Sequence, residues 1–280
     1  MNHCKCFKQR QRSFSRSAFL TRVNATLFSG KMSSEQADGI NRYLNAWLVY
    51  NNVLGHDIPV TWLAYILATV YHETATTMMP IEEYGKGAGY AYGEPDPVTG
   101  QVYYGRGDVQ LTWKTNYQWA QENVVNFNTM KNDLDMVNNP DLALKPWVSA
   151  QVTILGMSQG QFTGKGLGDY LTPTSTDYVN ARRIINGTDK AQTIAAYAQD
   201  FEVSIRLALG ESIARSMVQN GSKGDDVREL QLMLQLSPDG IAGADTTNAI
   251  ITFQKQQELS ADGICGPDTW DTLDRVVYNL

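Results

Sequence analysis

Histidine and cysteine are the scarcest chemistry-bearing residues in this chain, three of each in 280. The histidines are His3, His56 and His72. His72-Glu73 opens like the zinc motif H-E-x-x-H, but the position four after His72 is Thr76, so the second ligand is missing. A histidine-based zinc catalyst or a Ser-His-Asp hydrolase is therefore disfavoured. Cys4 and Cys6 lie beside His3 near the start and Cys265 lies far away, which makes no disulfide framework and falls short of the four ligands of a structural zinc site. Free thiols fit synthesis in a reducing compartment. No run of about 18 apolar residues occurs, so no stable membrane insertion is expected. Strand signals are sparse as well.

Positive charge is also missing from most of the chain. The net charge is −6, yet residues 1–34 carry seven Lys/Arg and no acid, which leaves −13 for the rest. Such a body lacks the positive field that phosphate contacts require, so nucleic acid is not an expected partner. The basic start has no apolar core of a signal peptide and reads as a tail, residues 1–22, leading into a first helix. A basic tail attracted to anionic lipid is the alternative.

What is present is mostly helix. "SEQADGINRYLNAWLVYNNV" places Ile40, Tyr43, Leu44 and Trp47 on one face, and "VTWLAYILATVYHETA" follows Pro59, a common first-turn residue. "AQTIAAYAQDFEVSIRLAL" is amphipathic through Ile194, Tyr197, Ala198, Phe201, Ile205 and Leu209. Residues 84–107, rich in Gly, Tyr and Pro, read as loop or short hairpin.

The last sixty residues contain a repeat. "SPDGIAGADTTNAI" (237–250) aligns with "SADGICGPDTWDTL" (260–273) at an offset of 23, identical at seven of fourteen positions. Each copy reads as an Asp-Gly turn, an apolar residue, a second Gly, then a Thr (Thr246, Thr269) at an expected helix start. With "DDVRELQLMLQL" before them, three short helices around one core are expected. The "G-x-x-V-x-x-L-Q" of Gly224–Gln231, both "DG-I-x-G" turns, "FQ" at 253–254 and "G-P-x-T-W" at 266–270 resemble the three-helix peptidoglycan-binding domain. The expected division is a tail at 1–22, a larger domain at 23–215, a linker at 216–222 and this domain at 223–280.

Carboxylates mark the candidate site. Glu73 falls on or beside the apolar stripe Trp62, Ile66, Thr69, Val70, near a helix end. Partial desolvation there would raise its pKa, as a general acid needs; a buried glutamate with a structural partner is the alternative. Glu82 and Glu83 follow nine and ten residues later. "YYGRGDVQLTWKTNY" (103–117) and "ARRIING" (181–187) are each ordinary turn chemistry alone. Together with "HET" they resemble the catalytic domain of glycoside hydrolase family 19, which includes chitinases and lysozyme-like phage endolysins.

That resemblance implies a mainly α, lysozyme-like fold. It implies Glu73 as general acid and Glu82 as general base, with Glu83 and Glu94 as alternatives for the base. Thr112 matches a residue that helps hold the attacking water. Gln110, Asn116 and Asn186 match polar residues of the sugar cleft, and Tyr104 adds an aromatic face to it. Arg106 is grouped with them, as a brace of the cleft more than a substrate contact. Such enzymes invert, and two carboxyl groups suffice, so no cofactor or metal is implied. With the second domain, the resemblance implies a monomeric peptidoglycan hydrolase of the muramidase, endolysin type. It would act after release from a host cytoplasm through a phage-encoded pore. Chitin is the alternative substrate, and a non-catalytic wall-binding protein the alternative class.

Overall fold

The computed structural model describes residues 14–280; Cys4, Cys6, His3 and most of the basic start lie outside the described residues. Helices dominate, as expected: α1 (Arg16–Leu27), α2 (Ser34–Asn52), α3 (Val60–Glu73), α4 (Lys114–Asn123), α5 (Pro146–Gln159), α6 (Ala191–Ala208), α7 (Asp225–Met233), α8 (Ala244–Gln256) and α9 (Pro267–Val277). The strands are two-residue ladders, β1 (Ile81–Glu82) with β2 (Arg106–Gly107), and β3 (Leu171–Thr172) with β4 (Ser175–Thr176), both antiparallel.

The described residues divide into two compact units, residues 32–202 and residues 14–31 with 203–280. This division differs from the sequence expectation in three places. Part of the expected tail, Arg16 to Arg22, is helical in α1, and this helix belongs to the C-terminal unit. The expected linker at 216–222 is built in, because Val218 exchanges backbone hydrogen bonds with Cys265 and Gly221 N–H donates to Ala242. Residues 203–215 likewise leave the larger unit. The cause is a buried charge cluster. Glu229 on α7 is fully buried and accepts from Arg22 Nη1 of α1 (2.5 Å) and from Arg215 Nε and Nη2 (3.1 and 2.9 Å). Arg215 also grips Asp274 on α9 at 2.8 and 3.0 Å. A carboxylate with no solvent needs such partners, and here they come from both sides of the larger unit in sequence.

In the larger unit the helix starts follow local chemistry. Ser33 and Gln36 form a capping box at α2, and proline opens α5. α5 packs against α2 and α3 and is buried from Val148 to Met157. It is buried all round, and its polar residues Ser149, Gln151 and Thr153 are each hydrogen-bonded there. A satellite core around Tyr103, Leu111, Tyr117 and Met136 supports α4 and the β2 loop.

In the C-terminal unit the repeat is structural. Gln231 donates through Nε2 to Asp239 (2.7 Å), the Ile241 carbonyl (3.2 Å) and Thr246 (3.2 Å), and accepts from Gly240 N–H (2.8 Å). Gln254 does the same 23 residues later with Asp262, Ile264, Thr269 and Gly263 at 2.9, 3.0, 3.3 and 3.0 Å. Thr246 and Thr269 stand in the first turn of α8 and of α9, at the helix starts expected there. Gly243 and Gly266 occupy the caps, and each threonine is the third helical residue, buried against its glutamine.

Candidate active site

Two glutamates stand at the ends of one pinned connector. Glu73 is the last residue of α3 and Glu82 ends β1. Between them the backbone turns through left-handed conformations at Ala75, Thr76 and Met78 (φ 48°, 68° and 59°), a costly choice without glycine. Hydrogen bonds over-determine it. Thr74 Oγ1 donates to the Val70 carbonyl at 2.7 Å and accepts from Met78 N–H at 3.0 Å. Arg42 Nη2 donates to the Met78 carbonyl at 2.6 Å, and Gln36 Nε2 to the Thr76 carbonyl at 3.1 Å. Gly39 on α2 is required by this approach, since a β-carbon there would overlap the Met78 carbonyl oxygen.

Arg42 links the connector to the β2 turn. The same Nη2 reaches Asp108 Oδ1 at 2.6 Å, while Asp108 Oδ2 accepts from Tyr43 (2.5 Å) and Ser149 (2.6 Å). Asp108 is buried, as is Arg42. Thus α2, α5, the connector and the β2 turn meet at one ion pair. Neither Arg42 nor Asp108 was singled out from sequence, since their sequence neighbours carry no hint of the pairing.

Glu82 faces Arg106 across the β1–β2 ladder. Its Oε1 accepts from Tyr104 Oη at 2.7 Å and its Oε2 lies 3.4 Å from Lys86 Nζ. The Tyr104 hydroxyl first, then Lys86, hold the Glu82 carboxyl below the usual carboxylate range. Burial and the bond to Glu82 raise the Tyr104 phenol in turn, so it stays the donor. Tyr104 is buried, and its role in this structure is to hold Glu82; the exposed aromatic faces nearby belong to Tyr90 and Trp113, with half-buried Tyr92 between them, stacked on Tyr90 at 5.2 Å and edge-on to Trp113 at 5.4 Å.

Glu83 is occupied. Its Oε1 accepts from Tyr92 at 2.8 Å and its Oε2 from Gly105 N–H at 2.9 Å. It fastens the loop, leaving Glu82 the more available neighbour. Glu94 is exposed at the end of the short 3-10 turn Ala91–Gly93.

Glu73 stands at the end of the apolar stripe and has a structural partner, as in the alternative reading. A quarter of its side chain is exposed, and Oε1 accepts from Arg182 Nη1 at 2.6 Å. Arg182 is buried, and its Nε donates to the Asp189 carbonyl at 3.0 Å. Arg182 belongs to "ARRIING", the stretch from which sequence singles out Asn186 alone. The available signal was an arginine placed among apolar residues of a strongly acidic body.

The remaining expected residues divide. Arg106 is 4% exposed and spends its donors inside the protein, on Asp141 (2.9 Å), the Val102 and Tyr104 carbonyls (3.0 and 3.3 Å) and Tyr117 (3.1 Å). Its guanidinium stacks 3.5 Å over the Tyr104 ring. It is a brace, so its grouping with substrate-binding residues is corrected. Gln110 Nε2 joins the Ile81 and Gly107 carbonyls (3.1 and 3.0 Å), and so ties β1 to the β2 turn. Asn116 donates to the Thr112 carbonyl (2.8 Å) and accepts from Gln161 (2.9 Å). Thr112 is half-buried between Gln110 and Trp113, both near left-handed turns (φ 55° and 68°). Asn186 is exposed, its N–H on the Arg182 carbonyl. The contacts therefore gather Glu82, Tyr104, Arg106 and Gln110 into one group and Glu73, Arg182 and Asn186 into another, joined through the pinned connector. Among the described residues no cluster of three or more His, Cys, Asp or Glu could hold a metal ion.

Comparison with known proteins finds likenesses to a peptidoglycan-binding family and to chitinases. Residues 223–273 match the family described as "Putative peptidoglycan binding domain". Chitinase 11 of Oryza sativa subsp. japonica is 32% identical over 134 residues, 40% of this chain and 49% of that protein; this chain thus spans about half the length of that curated relative. Chitinase C of Streptomyces griseus HUT6037 is 21% identical over 75% of this chain and 98% of the other, with a TM-score of 0.41. A bacterial family 19 chitinase is 24% identical over 73% and 98%, with a TM-score of 0.39. The chain is similar to family 19 chitinases. Over residues 223–273 it carries a segment of the peptidoglycan-binding type.

Proposed function

We propose that this chain is a cell-wall glycoside hydrolase that cleaves the β-1,4 bond between N-acetylmuramic acid and N-acetylglucosamine with inversion. The observation that carries the reading is the pair Glu73 and Glu82 at the two ends of the connector pinned by Arg42. Glu82, held ionised by Tyr104 and Lys86, suits a general base that takes a proton from water. Glu73 is the general acid. It gives its proton to the glycosidic oxygen, and the C–O bond breaks as water attacks from the opposite face. The acid ends that step as a carboxylate, and Arg182 accommodates the charge. Thr112 lies on the loop that would hold the water, and Tyr90, Tyr92 and Trp113 offer faces for sugar rings. The bridging arginine and the backbone hydrogen bonds suit the positioning that such a displacement demands. Two carboxyl groups suffice for this chemistry.

The peptidoglycan-type segment supports the wall over chitin, and linkage to a binding module raises the local concentration of substrate. The likeness to Chitinase 11 favours chitin as a second reading. Mass spectrometry of a peptidoglycan digest after borohydride reduction separates the two. Reduced N-acetylmuramic acid ends are expected. Intact wall glycan with cleaved chitin oligomers would replace the first reading by the second. Glu73→Gln is expected to abolish cleavage, by at least about 10³-fold, while the protein stays folded; a fully active variant would remove Glu73 from the mechanism. We further read the protein as a monomeric phage endolysin, reaching the wall from the host cytoplasm through a membrane pore. Expression in bacteria with and without a pore-forming protein tests this, and lysis only with the pore is expected.

A further inference from the structure

The loop after Glu82 carries side chains that the fold does not use. Gly85, Lys86 and Gly87 stand in succession in the left-handed region, with φ of 85°, 50° and 75°. Glycine takes that conformation freely, whereas a lysine there is strained. The base of the loop is fixed. Glu83 accepts from Tyr92 and from Gly105 N–H, and Gly87 and Gly93 approach so closely that a β-carbon on Gly93 would stand 1.9 Å from the Gly87 carbonyl oxygen. The tip is open. Tyr84 is fully exposed, and a β-carbon on Gly85 or Gly89 would meet nothing.

Lys86 is the one charged residue of positions 84–93. Its ammonium lies 3.4 Å from Glu82 Oε2 and 5.6 Å from the centre of the Tyr104 ring, while 61% of its side chain is exposed. An exposed pair of this kind adds little to stability, and Tyr104 already holds the other oxygen of Glu82. The strained, solvent-facing lysine therefore lacks a packing reason, and strain of this kind gathers at functional sites.

Its position beside the proposed base gives it a chemical one. The base works on the face of the anomeric carbon opposite the leaving group. In a wall glycan cut at muramic acid, the same sugar ring bears at C3 a lactyl ether, which ends in a carboxylate or in a peptide that carries carboxylates. In chitin that carbon bears a neutral hydroxyl. A chain with a net −13 beyond residue 34 would otherwise repel the anionic substituent.

We propose that Lys86 is a specificity-determining residue, whose ammonium receives a carboxylate of the muramoyl substituent and so favours wall glycan over chitin. The proposal rests on the reading of Glu82 as base and names the substrate feature that this same site distinguishes.

The test compares the full-length chain with Lys86→Met and Lys86→Arg on soluble, peptide-free wall glycan strands, with their lactyl carboxylates free or methyl-esterified. Because Lys86 also touches Glu82, both substrates should slow in Lys86→Met, and the ratio of kcat/KM between them cancels that effect. The parent should prefer the free carboxylate by about fivefold, the span of one exposed ion pair. Lys86→Met should bring the ratio to about one, and Lys86→Arg should restore it. Strands bearing peptides, with carboxylates free or amidated, distinguish the source. A preference there assigns the peptide carboxylate as the partner, and one confined to peptide-free strands assigns the lactyl group. Equal rates on free and blocked forms of both kinds of strand, or a preference that survives in Lys86→Met, would overturn the role of Lys86 and keep the wall hydrolase. Cleavage of chitin oligomers with no cleavage of any wall strand would overturn the proposal together with the reading beneath it.

Discussion

Asp108→Asn is the perturbation that should reach furthest. The substitution keeps shape and removes charge. It leaves Arg42 buried and unpaired, and it sets an amide against the donors Arg42, Tyr43 and Ser149. Three donors converge on two carboxylate oxygens at 2.5–2.6 Å, and an asparagine can accept at only one atom. Breaking a buried pair in this way costs about 3–5 kcal/mol. For a unit of this size each kcal/mol lowers the melting temperature by about 2–4 °C, so a fall of about 6–20 °C is expected by calorimetry. Activity should fall as well, below the melting temperature, because Arg42 also holds the Met78 carbonyl between the two glutamates. The sharper readout is therefore kcat, measured well below melting, on wall substrate. A variant that melts within about 1 °C of the parent would refute the energetic argument. A destabilised variant with unchanged kcat would refute the claim that this ion pair positions the site.

Three other outcomes follow from the contacts. Tyr104→Phe removes the largest influence that lowers the Glu82 pKa. The base is active when ionised, so the acidic limb of the pH–rate profile should move up toward the ordinary carboxylate range. Activity at acidic pH should fall first, with little change near neutrality; an unmoved limb would dissociate Glu82 from the profile. Gly39→Ala places a methyl against the Met78 carbonyl and should cost about 1–3 kcal/mol with a loss of kcat, whereas a thermal melt and kcat matching the parent would show the connector to be free to shift. Gln231→Ala and Gln254→Ala each strip an equivalent buried network, so each should destabilise the C-terminal unit by about 1–3 kcal/mol in denaturant titration, and a large difference between them would mean the repeat is not energetically equivalent.

Periodicity made α2 and α6 legible, because each buries one face and exposes the other, while α3, buried without a break from Leu63 to Tyr71, was legible as an apolar run after Pro59. It was silent about α5, where Val148 to Met157 are buried all round and no face alternates. The repeat at 237–273 was legible for another reason. Identical residues at an offset of 23 adopt identical turns, so sequence identity maps directly onto the glutamine networks. The unit boundary was not legible. It depends on Arg22 and Arg215 meeting Glu229, pairings that span 207 and 14 residues and leave no local trace. The same holds for the connector, where three non-glycine residues are held left-handed by partners on α2.

The motif "YYGRG" illustrates what a sequence signature encodes. A β-carbon at Gly105 would stand 2.7 Å from Gln110 Oε1, and one at Gly107 would stand 2.9 Å from Ser149 Oγ, where φ is already 88°. Arg106 is buried beneath this turn, and Tyr104 lies between its guanidinium and Glu82. Each of these residues has a packing reason to be what it is, and among their side chains only the Tyr104 hydroxyl touches the carboxyl of Glu73 or Glu82. The signature therefore reports the turn beside the candidate site, while the chemistry proposed above depends on two glutamates that the signature does not contain. A chain could keep the turn and lose the reaction by one substitution at Glu73 or Glu82. Substitution at those two positions, against a background in which Arg106 and the glycines are untouched, is what separates the fold from the activity.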